Sequence, residues 1–292
     1  MNGLDFIHFK LNIFVNITLK NYEKIHRTNL IMNQKITLLD GTIWNKEELL
    51  SRMYDDKFYY GYLGGAALSS SSAKKLLDSP KKYTKSLTED NSNVAALRDG
   101  RLFHVMALEP QKLQDSYLFI DSSTRTTNKF KDLAAENPHK EVILTREYNA
   151  LSQLMTCLNK NLEASELLRG GSPEVPMIGE LFGYPFRGKA DYLKNNHVID
   201  LKTTSKLDNW VWTAKNVWHY DMQCYIYSKL FNVQNFTFVV IEKGSGEIGI
   251  FDCSEETMEK AGRKLKKVCN TYEEYFIRKI KDPNEYVRRG TL

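Results

Sequence analysis

The sequence predicts an α/β protein in which helices cover a mixed sheet. From Glu174 onward the pattern becomes strand-like, and three strand-like segments are followed by a helical segment, two further strands and a last helix. The 292 residues are enough for one large domain or two small ones. A hydrophobic content of 42% and a charged content of 26% are ordinary for a globular protein with a substantial core.

The N-terminal part carries no motif that suggests chemistry. We interpret residues 1–58 as an N-terminal extension, and residues 59–292 as one domain in which an N-terminal helical region precedes the sheet. The apolar run of residues 1–19 is interrupted by polar side chains such as His8 and Lys10, which argues against a signal peptide. Met32 is a plausible start, so we expect residues 1–31 to be dispensable.

Charge and cysteine content narrow the function classes. The net charge of +5, from 41 Lys and Arg against 36 Asp and Glu, is compatible with a polyanionic partner. The four cysteines form no C-x-x-C motif, so neither a zinc site nor an iron–sulfur cluster is indicated. Since no run approaches the roughly 20 apolar residues of a membrane span, we expect a cytoplasmic protein without a membrane partner.

Two helical segments precede the strands. In "LSSSSAKKLLDSPKKYTKSL" (68–87), serines can cap a helix that Pro80 limits. Its lysines indicate either a solvated surface helix, which we favour, or a phosphate-binding patch. The segment "NSNVAALRDGRLFHVMALEP" (91–110) predicts a helix that is capped near Asn91 or Ser92 and carries Gly100 and His104 on one face.

Between these helices and the strands, residues 111–170 predict mixed helix and loop, with a periodic helix from Glu147 to Leu168.

The strands and the remaining helices follow in a regular order. A hairpin is predicted around Phe182-Gly183, between "EVPMIGEL" and "YPFRGKADYL", and "HVIDLKTT" follows as a third strand. Residues 207–231 predict helix with a break near Trp218. "NFTFVVIEK" and "EIGIFDC" predict two more strands, before a basic last helix from Glu255 to Ile280.

Charged residues interrupt two of these apolar strands. Asp200 and Lys202 are two positions apart and therefore point to one face, and Asp191 lies near the end of the preceding strand. Buried charges are costly unless they are paired or bind a metal, so the pair is either a structural ion pair or a reaction centre. With Glu174 upstream, three carboxylates around one lysine would repel each other. A Mg²⁺ or Mn²⁺ ion and a phosphate would balance them, which favours the reaction centre.

The helix after this strand adds two polar side chains. Gln223 and Tyr227 are four residues apart and share one face, although Tyr220 and Phe231 on nearly the same stripe are also typical of ordinary helix–sheet packing.

Five motifs in order resemble a known family. "GRLFHVMALEP", "PEVP", "FRGKADY", "VIDLKTT" and "DMQCYIY" resemble the PD-(D/E)XK nucleases of the RecB/RecE type, and most of all the RecE (exonuclease VIII) and phage exonuclease branch. The likeness covers roughly residues 60–275. It implies a restriction-endonuclease-like core with a mixed central sheet flanked by helices.

The resemblance also implies a role for each matching residue. The metal ligands would be His104, Asp191, Asp200 and Glu174, although Glu180 is an alternative to Glu174 as the upstream acid. Lys202 would align the attacking water, and Gln223 and Tyr227 would complete the catalytic set. The candidates for sequence-independent contacts to the DNA backbone are Lys74, Lys75, Arg98 and Arg101.

The implied activity is that of an exodeoxyribonuclease that uses Mg²⁺, for which Mn²⁺ can substitute. It would degrade one strand of duplex DNA from its 5′ end and leave 3′ tails for a single-strand annealing protein. Such an enzyme would be encoded by a phage or prophage and would form an oligomeric ring. The alternatives are an endonuclease or single-strand nuclease of the same fold, or a decayed nuclease that only binds DNA.

Overall fold

The centre of the protein is a mixed five-stranded sheet. The computed structural model describes residues 34–88 and 94–289. The sheet has the order β5-β6-β7-β8-β9, in which only β7 and β8 are parallel. These strands are β5 (Ser172–Leu181), β6 (Tyr184–Lys194), β7 (His197–Thr204), β8 (Asn235–Glu242) and β9 (Ile248–Asp252).

The predicted hairpin is confirmed. Strands β5 and β6 pair along their length around a two-residue turn, in which Phe182 and Gly183 have φ values of 53° and 83°. Two successive positive φ values are typical of the type I′ turn, whose twist matches that of the flanking strands. The hairpin brings the beginning of β5 beside the end of β6.

The predicted third strand and the helical segment after it are also confirmed. The parallel pairing of β7 with β8 requires a crossover, which α10 (Trp210–Asn216) and α11 (Tyr220–Phe231) provide. The break between them lies near Trp218, as predicted, and His219 adopts a left-handed conformation with a φ of 54°.

Helices cover both faces of the sheet, and successive side chains of β7 enter the two cores that these helices form with it. Val198 belongs to a core shared with α11, α12 (Glu255–Tyr272) and α3 (Ser70–Asp78). Ile199 and Leu201 belong to a core shared with α5 (Ala95–Leu108) and α8 (Thr145–Lys160). The remaining helices of four or more residues are α1 (Lys46–Arg52), α2 (Leu63–Ala66), α4 (Pro80–Ser86), α6 (Leu113–Ser116), α7 (Asn128–Glu136), α9 (Leu162–Leu167) and the π-helices Lys57–Tyr62 and Glu273–Ile277.

Residues 111–170 differ from the prediction. They contain a parallel pair, β3 (Tyr117–Ile120) and β4 (Glu141–Leu144), that has a small apolar core of its own. These strands are only four residues long, which is too short for a periodic signal. The single helix predicted from Glu147 to Leu168 is two helices, because Asn161 caps α9 by accepting a hydrogen bond from the backbone of Ala164.

The segment of residues 34–69 packs on the sheet. It contains a hairpin of β1 (Lys35–Thr37) and β2 (Ile43–Asn45), which the sequence patterns did not predict. Its apolar side chains form a cluster that contains Ile178 of β5. The proposed start at Met32 and the caps at Asn91 or Ser92 lie outside the described residues. No helix of the described part is long and apolar enough to span a membrane.

Candidate active site

The candidate site lies where β6 and β7 separate. The two strands are paired as far as Tyr192 opposite Ile199. Beyond that pair, the backbone groups of Leu201 hydrogen bond to side chains and not to β6. The Leu201 amide donates to Asp191 Oδ2 at 2.7 Å, and the Leu201 carbonyl lies 2.8 Å from His104 Nε2. Buried backbone groups need partners, so this opening in the sheet holds both side chains in place.

His104 reaches the opening from α5. Its Nε2 is also 3.6 Å from Asp191 Oδ2. A carbonyl oxygen can only accept a hydrogen bond, so Nε2 carries the proton while it contacts Leu201. To bind a metal through Nε2, the ring must give up this bond and move its proton to Nδ1.

Glu174 lies across the hairpin from Asp191, between two regular pairs of the β5–β6 register. Its φ of 50° is rare for a residue other than glycine within a strand, and such strain is common at functional sites. Burial, and then the charge of Asp191, raise the pKa of Glu174 to about 8. The two carboxylates are therefore crowded when no cation lies between them.

His104, Glu174 and Asp191 form a metal-type cluster that fits a divalent cation. One ligand atom each from His104, Glu174 and Asp191 lie within 4.8 Å of one another. Two carboxylates and an imidazole suit a divalent metal, and a cation would relieve the repulsion that raises the pKa of Glu174. Glu180, the alternative upstream acid, is exposed near the hairpin turn, opposite Pro185.

Asp200 has different partners from those of the cluster. It is fully buried, and its Oδ1 accepts a hydrogen bond of 2.6 Å from Gln223 while its Oδ2 forms an ion pair with Lys202. Burial, and then the charge of Asp191, raise the pKa of Asp200 to about 6. Asp200 thus contacts Gln223 and Lys202, and it is not one of the three residues of the His104, Glu174 and Asp191 group.

Lys202 is a protonated lysine at neutral pH. Although burial opposes the charged form, the carboxylates of Asp200 and Asp191 raise the pKa of Lys202 above its usual value. Its ammonium group also lies 5.2 Å from the centre of the Tyr220 ring. Lys202 is therefore suited to contact negative charge, and it is not suited to act as a base.

Gln223 and Tyr227 have separate environments. Gln223 hydrogen bonds to Asp200, whereas the Tyr227 hydroxyl accepts a hydrogen bond of 3.3 Å from the backbone of Lys189. The Tyr227 ring lies so close to Gly188 that an added Cβ would come within 2.7 Å of it. Tyr227 thus packs on β6, and its hydroxyl hydrogen bonds to the backbone of Lys189.

The predicted DNA-binding residues lie on two helices, α3 and α5, which pack in different cores of the protein. Lys74 and Lys75 are partly exposed on α3. Arg98 is 11% exposed and lies 3.7 Å from Glu147, and Arg101 lies 3.5 Å from Glu141. Because both arginines have acidic neighbours, their predicted contact with phosphate would compete with these ion pairs.

Two basic residues of β6 were not predicted. Arg187 and Lys189 precede Asp191 by four and two positions and are almost buried beside the π-helix Lys57–Tyr62. The alternation of basic and acidic residues in "FRGKAD" was the signal that could have identified them.

Comparisons with known proteins agree with this fold. Residues 69–284 match a family described as a PDDEXK-like domain of unknown function (DUF3799). No curated protein matches the chain.

Among solved structures, one described as a "Putative exonuclease" from Eubacterium rectale has a TM-score of 0.55 at 14% identity, over 82% of this chain and 95% of that chain. A phage related exonuclease from Haemophilus somnus 129PT reaches a TM-score of only 0.32 at 14% identity, over 74% of this chain and 96% of that chain. At such identities the first likeness concerns the fold alone. The family match spans most of the chain and includes strands β6 and β7, which carry Asp191, Asp200 and Lys202. The chain therefore belongs to the PDDEXK-like domain family (DUF3799).

Proposed function

We propose that the protein is a Mg²⁺-dependent deoxyribonuclease that degrades duplex DNA from its ends. The observation that carries this proposal is the proximity of two kinds of group at one opening in the sheet. His104, Glu174 and Asp191 each place one ligand atom within 4.8 Å of the others, and a protonated lysine lies beside a buried aspartate next to them. Metal and lysine together are what hydrolysis of a phosphodiester requires.

Each residue has a part in this chemistry. A bound divalent cation would polarise the phosphodiester and lower the pKa of water. His104, Glu174 and Asp191 would hold that cation, and Lys202 would orient the attacking water and stabilise the charge that develops on the phosphate. Asp200, held by Gln223, keeps Lys202 charged and fixed in position. The further role of Asp200 as a metal ligand stays a prediction.

The finer features of the activity rest on the resemblance to RecE and the phage exonucleases. We propose cleavage from 5′ to 3′, release of 3′ tails to a single-strand annealing protein, a ring-shaped homo-oligomer, and action of a phage or prophage protein in the bacterial cytoplasm. The sequence carries no helix-turn-helix, zinc finger or basic zipper signature. We therefore expect the enzyme to recognise its substrate by the DNA end and not by a base sequence.

The test compares linear and covalently closed circular duplex DNA labelled within both strands. In Mg²⁺ or Mn²⁺, linear DNA should be consumed progressively from its ends while closed circles survive, and EDTA should stop the reaction. Activity should fall as salt rises, because phosphate contacts release counterions. If circles are cut as fast as linear DNA, the protein is an endonuclease; if neither is cut while DNA is bound, it is a decayed DNA-binding module.

A further inference from the structure

Two buried cationic side chains precede Asp191 of the metal-type cluster on β6. Arg187, Lys189 and Asp191 are alternate residues, so their side chains lie on one side of the strand at steps of about 7 Å. The row leads away from the metal-type cluster towards the π-helix Lys57–Tyr62, with which both cations are in contact.

Arg187 is a buried charge that has only neutral partners. It is 8% exposed, its Nε donates to the Leu63 carbonyl at 3.1 Å, and its guanidinium carbon lies 4.3 Å from the centre of the Tyr59 ring. Within residues 34–88 and 94–289, no acidic side chain is its ion-pair partner. An uncompensated buried charge is costly, and a guanidinium is well shaped to bind a phosphate.

Lys189 has an acidic partner that is exposed to solvent. Its side chain is only 9% exposed, but its ion pair of 2.6 Å is with Asp56, whose side chain is 65% exposed. A partner in contact with water contributes little to holding the pair together. An incoming phosphate could therefore replace Asp56 without uncovering Lys189.

An aromatic ring is presented beside these cations. Tyr60 is 66% exposed, and its ring is supported edge-on by Tyr59 at 4.9 Å between ring centres. The Lys189 ammonium lies 5.5 Å from its centre. An exposed aromatic face next to a phosphate-binding cation is the arrangement that binds a nucleotide strand by stacking and charge together.

We propose that Arg187 and Lys189 bind backbone phosphates of the DNA strand that enters the active site, and that Tyr60 stacks on a base of that strand. The proposal rests on the proposed nuclease function and deepens it, since it assigns the path of the substrate along β6. It also gives a role to two cations of β6 that are not among the candidate metal ligands.

The experiment measures the binding of a short fluorescent duplex by anisotropy, in EDTA so that cleavage does not interfere, over a series of salt concentrations. Each lost phosphate contact should reduce the slope of log affinity against log salt by about 0.9. We expect this reduction for Arg187→Met and for Lys189→Met. Arg187→Lys should keep most of the slope, and Lys131→Met, which removes an exposed lysine of α7, should leave it unchanged.

Tyr60→Leu separates stacking from charge. It should weaken binding about tenfold and leave the salt slope as in the wild type, because the tyrosine carries no charge. Thermal melting shows whether each variant is folded, and if Arg187→Met is not, Lys189→Met and Tyr60→Leu decide.

Wild-type slopes in the β6 variants, with normal binding of the parent protein, would overturn this proposal and leave the nuclease proposal standing. A parent protein that binds no DNA at low salt would overturn both.

Discussion

At the scale of single residues, the charge state of Glu174 is set by its surroundings. It combines a left-handed backbone with a carboxyl whose pKa is raised to about 8 by burial and by Asp191. The folded protein therefore keeps a proton that the unfolded chain releases above its ordinary pKa near 4.5. The charge state of this residue links the stability of the protein to pH and to metal.

The metal-free protein should accordingly lose stability as the pH rises from about 4.5 to about 8, since the folded state binds more protons than the unfolded state in this window. Mg²⁺ should raise the melting temperature more at about pH 8 than at about pH 6, because it binds the ionised carboxylate. Melting curves in EDTA and in Mg²⁺ measure both effects. In Glu174→Gln both should shrink, and a variant that keeps the full pH dependence would show that another group causes it.

The ion pair of Lys202 and Asp200 makes a second prediction possible. Lys202→Ala should abolish cleavage while DNA binding persists. It should also lower the stability by about 3–5 kcal/mol, because a fully buried carboxylate loses its counter-charge. Adding Asp200→Asn to Lys202→Ala should recover much of the stability and none of the activity. Melting curves with cleavage of labelled linear DNA distinguish these outcomes, and cleavage by Lys202→Ala at the wild-type rate would remove Lys202 from the mechanism.

At the scale of elements, α11 and β6 are closely packed against each other. Gly188 allows the ring of Tyr227 to lie against the strand, where an added Cβ would be 2.7 Å from the ring. Gly100 of α5 is different, because nothing lies within 4 Å of its added Cβ. Among the described residues, none makes the close approach to α5 that a glycine at position 100 would permit.

Gly188→Ala should destabilise the protein by about 1–3 kcal/mol, since a buried ring must move. Gly100→Ala should stabilise it by up to about 1 kcal/mol through helix propensity. Denaturant unfolding gives both values, and the cost of Gly188→Ala should fall when Tyr227 is replaced by leucine. A Gly100→Ala variant that folds well but binds DNA poorly would show that the substrate approaches α5 at this glycine.

At the scale of the whole molecule, residues 34–58 belong to the folded unit. Leu49 and Met53 are fully buried, and they share a cluster with Ile178 of the central sheet. Asp56 reaches Lys189 from the same region. The division at residues 58 and 59, which the motifs alone suggested, therefore crosses an apolar cluster.

A chain that starts at residue 59 should be much less stable than one that starts at Met32, because each fully buried side chain of this size contributes about 2 kcal/mol. The chain from Met32 should melt like the full-length protein. A loss of more than about 5 °C on removal of residues 1–31 would correspond to roughly 2 kcal/mol and would show that they pack on the core. If the chain from residue 59 melts like its parent, the N-terminal region is an independent appendage.

The sequence by itself determined the local features. Alternation of apolar residues predicts β7, the pair Phe182-Gly183 predicts the hairpin turn, and the position of Lys202 two residues after Asp200 puts them on one face. These features depend on residues close together in the chain, and on backbone preferences that act there. The order of the motifs was sufficient to predict the PD-(D/E)XK-like fold.

Only the tertiary structure decided which charges meet. The resemblance implied one ligand set that included Asp200. The hairpin register and α5 bring ligand atoms of Glu174, His104 and Asp191 within 4.8 Å of one another. Asp200 instead contacts Lys202 and Gln223. The acidic partners of Arg98 and Arg101, and the neutral partners of Arg187, come from segments that are distant in the chain. The energy of a charge depends on its burial and on the groups within a few ångströms, and neither is set by the residues adjacent in sequence.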